Sequence, residues 1–365
     1  MSLTVSITSA GITLTSGDNP VSVTSTGLIS GSTTGDGIYG PGGSGNTWTI
    51  GNAGYVGSTD FDGIALGATL GSNAVISALV TNEAGGVISG RYGVHIYGSG
   101  SVTNQAGGVI TGNTFAAVFI TGGGGGVVNS GTLLGATYGV EEKGGGSLSN
   151  AGTIIGGGGT ATSIVGAGVS LYGTLSNSGV IAGGGGDGPA GAYPPTAGNG
   201  GNGVDMTTGT LTNGGVVGGG QGGNGVGAYH GNGGDGGIGV DLMTVTLSNA
   251  GTIAGGDGGS GSYNGNFQPG GNAGNGGAGI DLAQGGTLVN DAVIAGGKGG
   301  DAAAYPSIVG IGGNGGGGVD LAQGGTLINH AVITGGQGGG GSSYSPAGRG
   351  GFGAYLGINA DHDPP

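Results

Sequence analysis

Four acidic residues in the C-terminal half recur at a spacing that could place carboxylates together. Asp205, Asp241, Asp281 and Asp320 each follow a Gly-Val or Gly-Ile pair, at similar intervals of about 40 residues. The residues around Asp241 match the start of a glycine-rich nonapeptide that binds calcium. If equivalent positions stack, the four carboxylates form one column. That column either binds calcium together with loop carbonyls or remains a solvated acidic surface, and no other cofactor is expected.

The residues needed for catalysis are scarce. A lyase acting on acidic sugars would need a base and several cations, but the chain has four basic residues: Arg91, Lys143, Lys298 and Arg349. The four histidines occupy unrelated contexts: His95, His230, His330 and His362. The sequence therefore predicts that the protein is not an enzyme.

The charge balance excludes some partners. A formal net charge of −14 with so few cations argues against nucleic acid and against anionic membranes. No apolar run reaches the roughly 18 residues that a membrane helix needs, so we expect no membrane insertion by this chain.

The first residues do not resemble a signal peptide, which leaves the export route open. With no Cys in the chain, disulfides have no role.

One short sequence motif occurs about ten times and organises the chain. It is clearest at Leu247-Ser248-Asn249-Ala250-Gly251-Thr252-Ile253, where an Asn precedes a turn and an apolar pair. We expect each repeat Asn to close a strand and to join an amide ladder between coils, with ligand recognition as the alternative role. These residues are Asn52, Asn82, Asn104, Asn129, Asn150, Asn177, Asn213, Asn249, Asn290 and Asn329.

The repeat spacing predicts the fold class. From Asn82 to Asn177 the repeat Asn positions are roughly 20 to 30 residues apart, a period typical of solenoid proteins. Such a length of chain is enough for a coil of two or three short strands with tight turns. We therefore predict an all-β fold, a single-chain β-solenoid (β-helix) of about ten coils.

Glycine-rich insertions interrupt the later coils. After Asn177 the spacing of the repeat Asn rises to about 40 residues, and the added chain always follows the apolar pair. We expect stacked glycine-rich loops that protrude from one face as neighbouring extended or polyproline-II-like strands, at 183–202, 219–238, 256–278, 297–317 and 336–352. The predicted divisions are an N-terminal strand segment (1–30), compact coils (31–177), coils with insertions (178–350) and a C-terminal strand and tail (351–365).

Each insertion carries a tyrosine that could contact a ligand. A ring with a polar tip suits a sugar face or a protein partner, and it equally suits packing of one loop on another. These residues are Tyr193, Tyr229, Tyr263, Tyr305 and Tyr344.

The repeat phrases resemble those of a known class of bacterial proteins. Trp48-Thr49-Ile50-Gly51-Asn52-Ala53-Gly54 and Leu175-Ser176-Asn177-Ser178-Gly179-Val180-Ile181 look like repeat units of autotransporter-type passenger domains and related adhesins. The resemblance covers about residues 26 to 335. It implies an exported β-solenoid at the cell surface or in the matrix. Such proteins usually carry a C-terminal membrane barrel, which this sequence does not show.

The terminal segments suggest assembly. Neither end shows a helical or charged cap, so we expect strand addition between copies. The predicted assembly residues are Leu3, Val5, Ile7, Ile12, Leu14, Tyr355, Leu356 and Ile358. The leading hypothesis is a secreted structural protein that polymerises head to tail into a surface or biofilm-matrix fibre. The alternative is a monomeric adhesin passenger that binds polysaccharide, a host surface or ice through the tyrosine-bearing loops.

Overall fold

A computed structural model describes most of the chain. It covers residues 2–31, 35–43, 47–67, 77–159, 165–187, 196–225, 231–262, 270–303, 310–341, 345–356 and 360–363. The structure divides into two compact units. Unit 1 comprises Met1–Ile155 and Val169–Val180, and unit 2 comprises Gly156–Gly168 and Ile181–Pro365.

The described secondary structure is one short 3-10 helix, at Ser16–Asp18, and a long series of strands. The strands are β1 (Leu3–Val5), β2 (Thr8–Ala10), β3 (Ile12–Thr13), β4 (Val21–Val23), β5 (Leu28–Gly31), β6 (Ile38–Gly40), β7 (Thr47–Asn52), β8 (Tyr55–Ser58), β9 (Ile64–Leu66), β10 (Ser77–Asn82), β11 (Val87–Gly90), β12 (Val94–Ile96), β13 (Ser99–Asn104), β14 (Val109–Gly112), β15 (Ala116–Ile120), β16 (Gly125–Asn129), β17 (Thr132–Gly135), β18 (Tyr138–Asn150), β19 (Thr153–Ile155), β20 (Ala167–Asn177), β21 (Val180–Ala182), β22 (Asn202–Asn213), β23 (Val216–Gly218), β24 (Val240–Asn249), β25 (Thr252–Ala254), β26 (Ile280–Leu282), β27 (Gly286–Asn290), β28 (Val293–Ala295), β29 (Val319–Leu321), β30 (Gly325–Asn329), β31 (Val332–Thr334), β32 (Ala354–Leu356) and β33 (Ala360–Asp363).

Unit 1 is a stack of coils whose strands pair in parallel with the equivalent strand of the next coil. One ladder runs β1, β4, β7, β10, β13, β16 and β18. A second runs β2, β5, β8, β11, β14, β17 and β19. A third runs β3, β6, β9, β12, β15 and the first half of β18. The predicted β-solenoid is confirmed.

The core of unit 1 is filled by one apolar side chain above another. Ile88 pairs with Ile110 in the second ladder, and Ile96 pairs with Ile120 in the third. All four side chains are fully buried. Burial of an aliphatic side chain stabilises a fold by about 1.5–3 kcal/mol, so repetition of such columns is what holds each coil to its neighbours.

One expectation for the N-terminal strands is wrong. Over residues 1–30, Ser or Thr alternates with apolar residues, a pattern that predicts strands with one buried face and places Ile7 on that face. Ile7 instead lies in the bend between β1 and β2 and is 74% exposed. The chain turns a corner there, so the alternation of inward and outward side chains restarts in β2. Val5 and Leu14 are buried as expected.

Unit 2 repeats the same ladders with longer coils. β22 pairs with β24, β24 pairs with β26 and β27, and these continue to β29 and β30. β32 and β33 follow. The second ladder runs β23, β25, β28 and β31.

The glycine-rich insertions of unit 2 form hydrogen-bonded extended segments, which we call the glycine strands. The N–H groups of Gly219, Gly222 and Gly225 donate to the carbonyls of Ala254, Asp257 and Ser260 in the next coil. The intervening Gly220 and Gly223 donate sideways to Gly201 and Gly198. This repeat of three residues per turn is that of a polyproline-II helix.

Glycine is required because the strands approach backbone to backbone. A Cβ on Gly256 would overlap the carbonyl of Gly220, and a Cβ on Gly237 would overlap that of Gly201. The packing also begins earlier than predicted, because a Cβ on Gly158 would overlap the carbonyl of Gly185. Residues 156–159 therefore belong with the glycine strands, although the sequence placed the first insertion at 183. In the described part of the chain, no helix has the length and hydropathy needed to cross a membrane.

Candidate functional site

The repeat Asn side chains form a line of buried amides in unit 1. Each Nδ2 donates to the Oδ1 of the next Asn at 2.8–2.9 Å, from Asn52 through Asn82, Asn104, Asn129 and Asn150 to Asn177. Asn129 Nδ2 also donates to the turn carbonyl of Gly131 at 3.3 Å. These amides therefore satisfy one another and their own turns inside the core.

Unit 2 has a second line of Asn amides, which are buried except for the half-buried Asn329. Asn213 donates to Asn249, Asn249 to Asn290, and Asn290 to Asn329, at 2.8–2.9 Å. We refer to both lines as the asparagine ladder. Its burial leaves little side-chain surface for a ligand, which favours the structural role.

The predicted acidic residues stand in register in unit 2. Asp205 pairs with Asp241, Asp241 with Asp281, and Asp281 with Asp320, on adjacent parallel strands. Burial, with the neighbouring carboxylates, raises the pKa of Asp205 and of Asp281 to about 6, and burial raises the pKa of Asp241. We call this set the aspartate column.

The aspartate column lacks the convergence of ligands that a metal site has. Among the described residues, no group of three or more His, Asp or Glu side chains is arranged to hold a metal ion. Asn202 Nδ2 donates to Asp205 Oδ1 at 2.8 Å, and Asp320 Oδ1 is buried without a partner. Binding of calcium stays a prediction.

The structure does not describe the loop tyrosines, but it does describe most of the predicted assembly residues. The five loop tyrosines, Tyr193, Tyr229, Tyr263, Tyr305 and Tyr344, lie outside the described residues, as does Ile358. Of the predicted assembly residues, Leu3 and Ile12 are half-buried in β1 and β3. Tyr355 is exposed in β32, beside the half-buried Leu356.

Unit 1 contains a charged cluster that the sequence did not reveal. Asp62 is buried, and its carboxylate faces Arg91 Nε at 3.2 Å and His95 Nδ1 at 3.1 Å. The backbone N–H of Asp62 donates to Asp36 Oδ1 at 2.9 Å. His95 Nε2 is buried without a partner. The buried Asp62 carboxylate therefore holds both the Arg91 guanidinium and the His95 imidazole in place.

Aromatic rings cover this cluster. Tyr92 stacks on Phe115 and Phe119 at centroid distances of 4.9 and 5.2 Å, and Tyr97 stacks on His95 at 3.7 Å. We call these five residues the aromatic patch. Partial burial raises the pKa of Tyr97 to about 12.

A signal for the aromatic patch is present in the sequence. Arg91, Tyr92, His95 and Tyr97 lie close together in the chain, and Phe115 follows Tyr92 by about the length of one coil. The aromatic patch is confined to two coils, so the pattern of residues that recur from coil to coil does not include it.

A buried acid occupies the core of unit 1. Glu142 pairs with Ile120 at a position held by Ile96 and Leu66 in earlier coils. Neither carboxyl oxygen of Glu142 has a partner, and burial raises its pKa to about 7. Glu142 therefore destabilises the column of apolar side chains formed by Leu66, Ile96 and Ile120.

The glycine strands of unit 2 carry a second polar row that the sequence did not predict. Asn199 Oδ1 accepts from Asp235 N–H, Asp235 Oδ1 from Asn275 N–H, and Asn275 Oδ1 from Asn314 N–H, at 2.7–2.9 Å. Asn314 Oδ1 accepts from Arg349 N–H. These side chains satisfy the N–H groups that the glycine strands leave open, which explains why Asn and Asp interrupt the glycine.

Comparison of the chain with known proteins gives no relative. No protein-family model, no curated protein and no solved structure matches it.

Proposed function

We propose that this chain is a secreted structural protein that assembles head to tail into an extracellular surface or biofilm-matrix fibre. The observation that carries the proposal is the edge of β1 in unit 1, which among the described residues pairs with β4 on one side and with no strand on the other. Leu3 N–H donates to Pro20 and Val5 C=O accepts from Thr24, so β1 bonds to β4 through alternate residues. The residue between them, Thr4, directs its backbone groups to the opposite edge of β1.

The last described strands of unit 2 offer the complementary edge. β31, β32 and β33 pair with β28, β29 and β30, and within the described residues none of them has a strand on its other side. Val332 in β31 and Tyr355 in β32 are more than half exposed. Such edges favour strand addition.

Continuation of the ladders from one copy to the next gives the proposed joint a definite register. β3 and β32 occupy the same ladder position, because β9 and β29 each follow the glycine of the shared Gly-Ile/Val phrase. Addition of one further coil then places Ala354 of one copy opposite Ile12 of the next. It also places Tyr355 opposite Thr13. The joint would repeat the pairing found between coils.

The extracellular setting rests on sequence alone. The repeat phrases resemble those of autotransporter-type passenger domains and bacterial adhesins. The parallel stacked strands agree with that resemblance at the level of fold. Secretion, the matrix location and the fibre are parts of the proposal.

Negative-stain electron microscopy of Thr4→Pro tests the proposal. Proline removes the outward N–H of Thr4 but none of the bonds between β1 and β4. We expect fibres from the unaltered protein and from Thr4→Ser, and short particles from Thr4→Pro with an unchanged circular dichroism spectrum. Fibres of equal length from Thr4→Pro, or none from the unaltered protein, would refute head-to-tail assembly.

A further inference from the structure

The aromatic patch of unit 1 combines exposed aromatic rings with neighbouring cations. Both are features of a ligand site, and both are scarce in this chain. Two of the four basic residues, Arg91 and Lys143, flank the patch. Tyr97 and Phe115 are each 40% exposed, and Tyr92 between them is half-buried. The result is a row of rings with Arg91 beside Tyr92 and Phe115, and with Lys143 beside the buried Phe119.

Arg91 is held in place through its Nε, while its two terminal nitrogens are available to a ligand. Its Nε is bound to the buried Asp62, and its Cζ lies 5.6 Å from the Tyr92 ring centre and 5.9 Å from that of Phe115. The two terminal nitrogens have no hydrogen-bond partner among the described residues. A guanidinium fixed in this way presents two parallel donors, which match a carboxylate.

Lys143 provides the second cation. Its Nζ lies 3.1 Å from Glu141 Oε1 and 5.0 Å from the centre of the Phe119 ring, and its side chain is 58% exposed. The counter-charges Asp62 and Glu141 are both much less exposed than the cations they pair with. The two cations therefore face solvent more than the carboxylates that pair with them, on a chain that as a whole carries −14.

We propose that the aromatic patch binds a carboxylated polysaccharide, a glycan that contains uronic acid. The exposed rings would stack on the apolar faces of the sugars, and Arg91 would bind a carboxylate with its two terminal nitrogens. Lys143 would attract a second carboxylate. A neutral glycan would not use the guanidinium, and two cations are too few for a nucleic acid. This inference does not depend on head-to-tail assembly.

Binding to polygalacturonate measures the proposal directly, with dextran as the neutral glycan and poly-glutamate as the acidic peptide. We expect polygalacturonate to bind at low ionic strength and to weaken with added salt, with no binding of dextran and much weaker binding of poly-glutamate. Arg91→Lys retains the charge but loses the paired donors, so we expect its affinity to fall by about tenfold or more.

Matched variants separate the patch from general effects. Lys143→Gln should weaken binding, whereas Lys298→Gln makes the same charge change in unit 2 and should leave affinity within about twofold. Phe115→Ala should weaken binding, whereas Phe352→Ala, which removes an exposed ring in unit 2, should not. Fluorescence of Trp48, the one Trp of the chain, identifies any variant in which unit 1 has unfolded.

Three results would overturn the proposal. The first is the absence of polygalacturonate binding to the unaltered protein. The second is an equal loss of affinity in Lys143→Gln and Lys298→Gln. The third is equal affinity for poly-glutamate, which would indicate an acidic peptide as the partner.

Discussion

At the scale of single residues, the asparagine ladder depends on the amide group itself. Asn129 accepts from Asn104 and donates to Asn150, Gly131 and Thr153. No other side chain of that size both donates and accepts in this way. A buried donor or acceptor left without its partner costs about 1–3 kcal/mol, so each Asn is tied to its neighbours.

The change Asn129→Asp tests this dependence. The carboxylate keeps the shape but loses the donors and places a charge in the core, so we expect a loss of at least about 3 kcal/mol in the free energy of unfolding. Asn113→Asp makes the same chemical change at an exposed residue bonded to Ser89 Oγ and should cost less than about 1 kcal/mol. Urea unfolding followed by Trp48 fluorescence compares the two. Equal losses would mean that the ladder contributes little.

Glu142 makes the stability of unit 1 depend on pH. Burial raises its pKa from 4.5 to about 7, so the folded state keeps a proton that the unfolded state has lost. The free energy of unfolding therefore decreases as pH rises from about 4.5 to 7 and then levels off. At about 1.4 kcal/mol per pKa unit, the loss is at most about 3.5 kcal/mol.

Replacement of Glu142 by Leu should remove this dependence. Leucine restores the apolar column of Leu66, Ile96 and Ile120 and removes a carboxyl group that has no partner. We therefore expect Glu142→Leu to be more stable than the unaltered protein, by a larger margin at pH 8 than at pH 5. Glu83→Gln, at an exposed residue, should change neither value. Urea titrations at the two pH values measure the effect. A variant less stable than the parent at pH 8 would contradict this explanation.

The sequence predicted these residues unevenly. It identified the repeat Asn and the aspartate column because their residues recur from coil to coil and therefore mark a position in the stack. It could not identify Glu142 as buried, since the adjacent Glu141 and Lys143 look like solvated surface and the neighbour Ile120 comes from another coil. The pairing of Asp62 with Arg91 was missed because it also joins two coils.

At the scale of elements, the glycine strands depend on close backbone approach. Gly256→Ala would place a methyl group against the carbonyl of Gly220, so we expect a loss of several kcal/mol, of the order found for severe overpacking. Gly218→Ala meets no atom within 4 Å and should be neutral or slightly stabilising. Thermal unfolding followed by circular dichroism compares the two variants. Equal melting temperatures would show that the strands are loosely packed.

The aspartate column should make unit 2 less stable as pH rises. Burial raises the pKa of Asp281 from 3.8 to about 6, and the charges of Asp241 and Asp320 add to the shift. The folded state therefore holds extra protons between these values, and stability declines across that range. Asp281→Asn should raise the melting temperature at pH 7.5 and leave it nearly unchanged at pH 3.5.

The control for this prediction is Asp257→Asn, since an exposed amide there still accepts from Lys298 N–H. Added calcium distinguishes the two interpretations of the column. A rise in melting temperature in the unaltered protein but not in Asp281→Asn would place a cation there. A destabilised Asp281→Asn at pH 7.5 without calcium would contradict the pKa argument.

The sequence predicted where the insertions from residue 183 onward lie, because added residues always followed the same apolar pair, and it predicted an extended or polyproline-II-like conformation for them. It did not predict that Asn and Asp on these strands bond to the next coil, as Asn224 does to Ser260 N–H. That pairing depends on the lateral order of strands, which a linear sequence does not specify. The exposed Ile7 was misplaced because a corner interrupts the alternation.

At the scale of the whole molecule, one pairing rule repeats within each unit. Every described coil adds to its neighbour in the same register, so a second copy could add in the same way. The aromatic patch lies on the side of unit 1 and would remain accessible, since strand addition uses β1, β2 and β3. The two proposals can therefore fail separately.

The most direct measurement is a disulfide between two singly substituted proteins, Thr13→Cys and Tyr355→Cys, in a chain that has no Cys of its own. Directly paired residues on neighbouring strands lie about 4.8 Å apart, within reach of a disulfide. We expect oxidation to a mixed dimer when the two are combined and no dimer from either alone. Fibres without this cross-link would contradict the register, and neither fibres nor cross-link would contradict head-to-tail assembly itself.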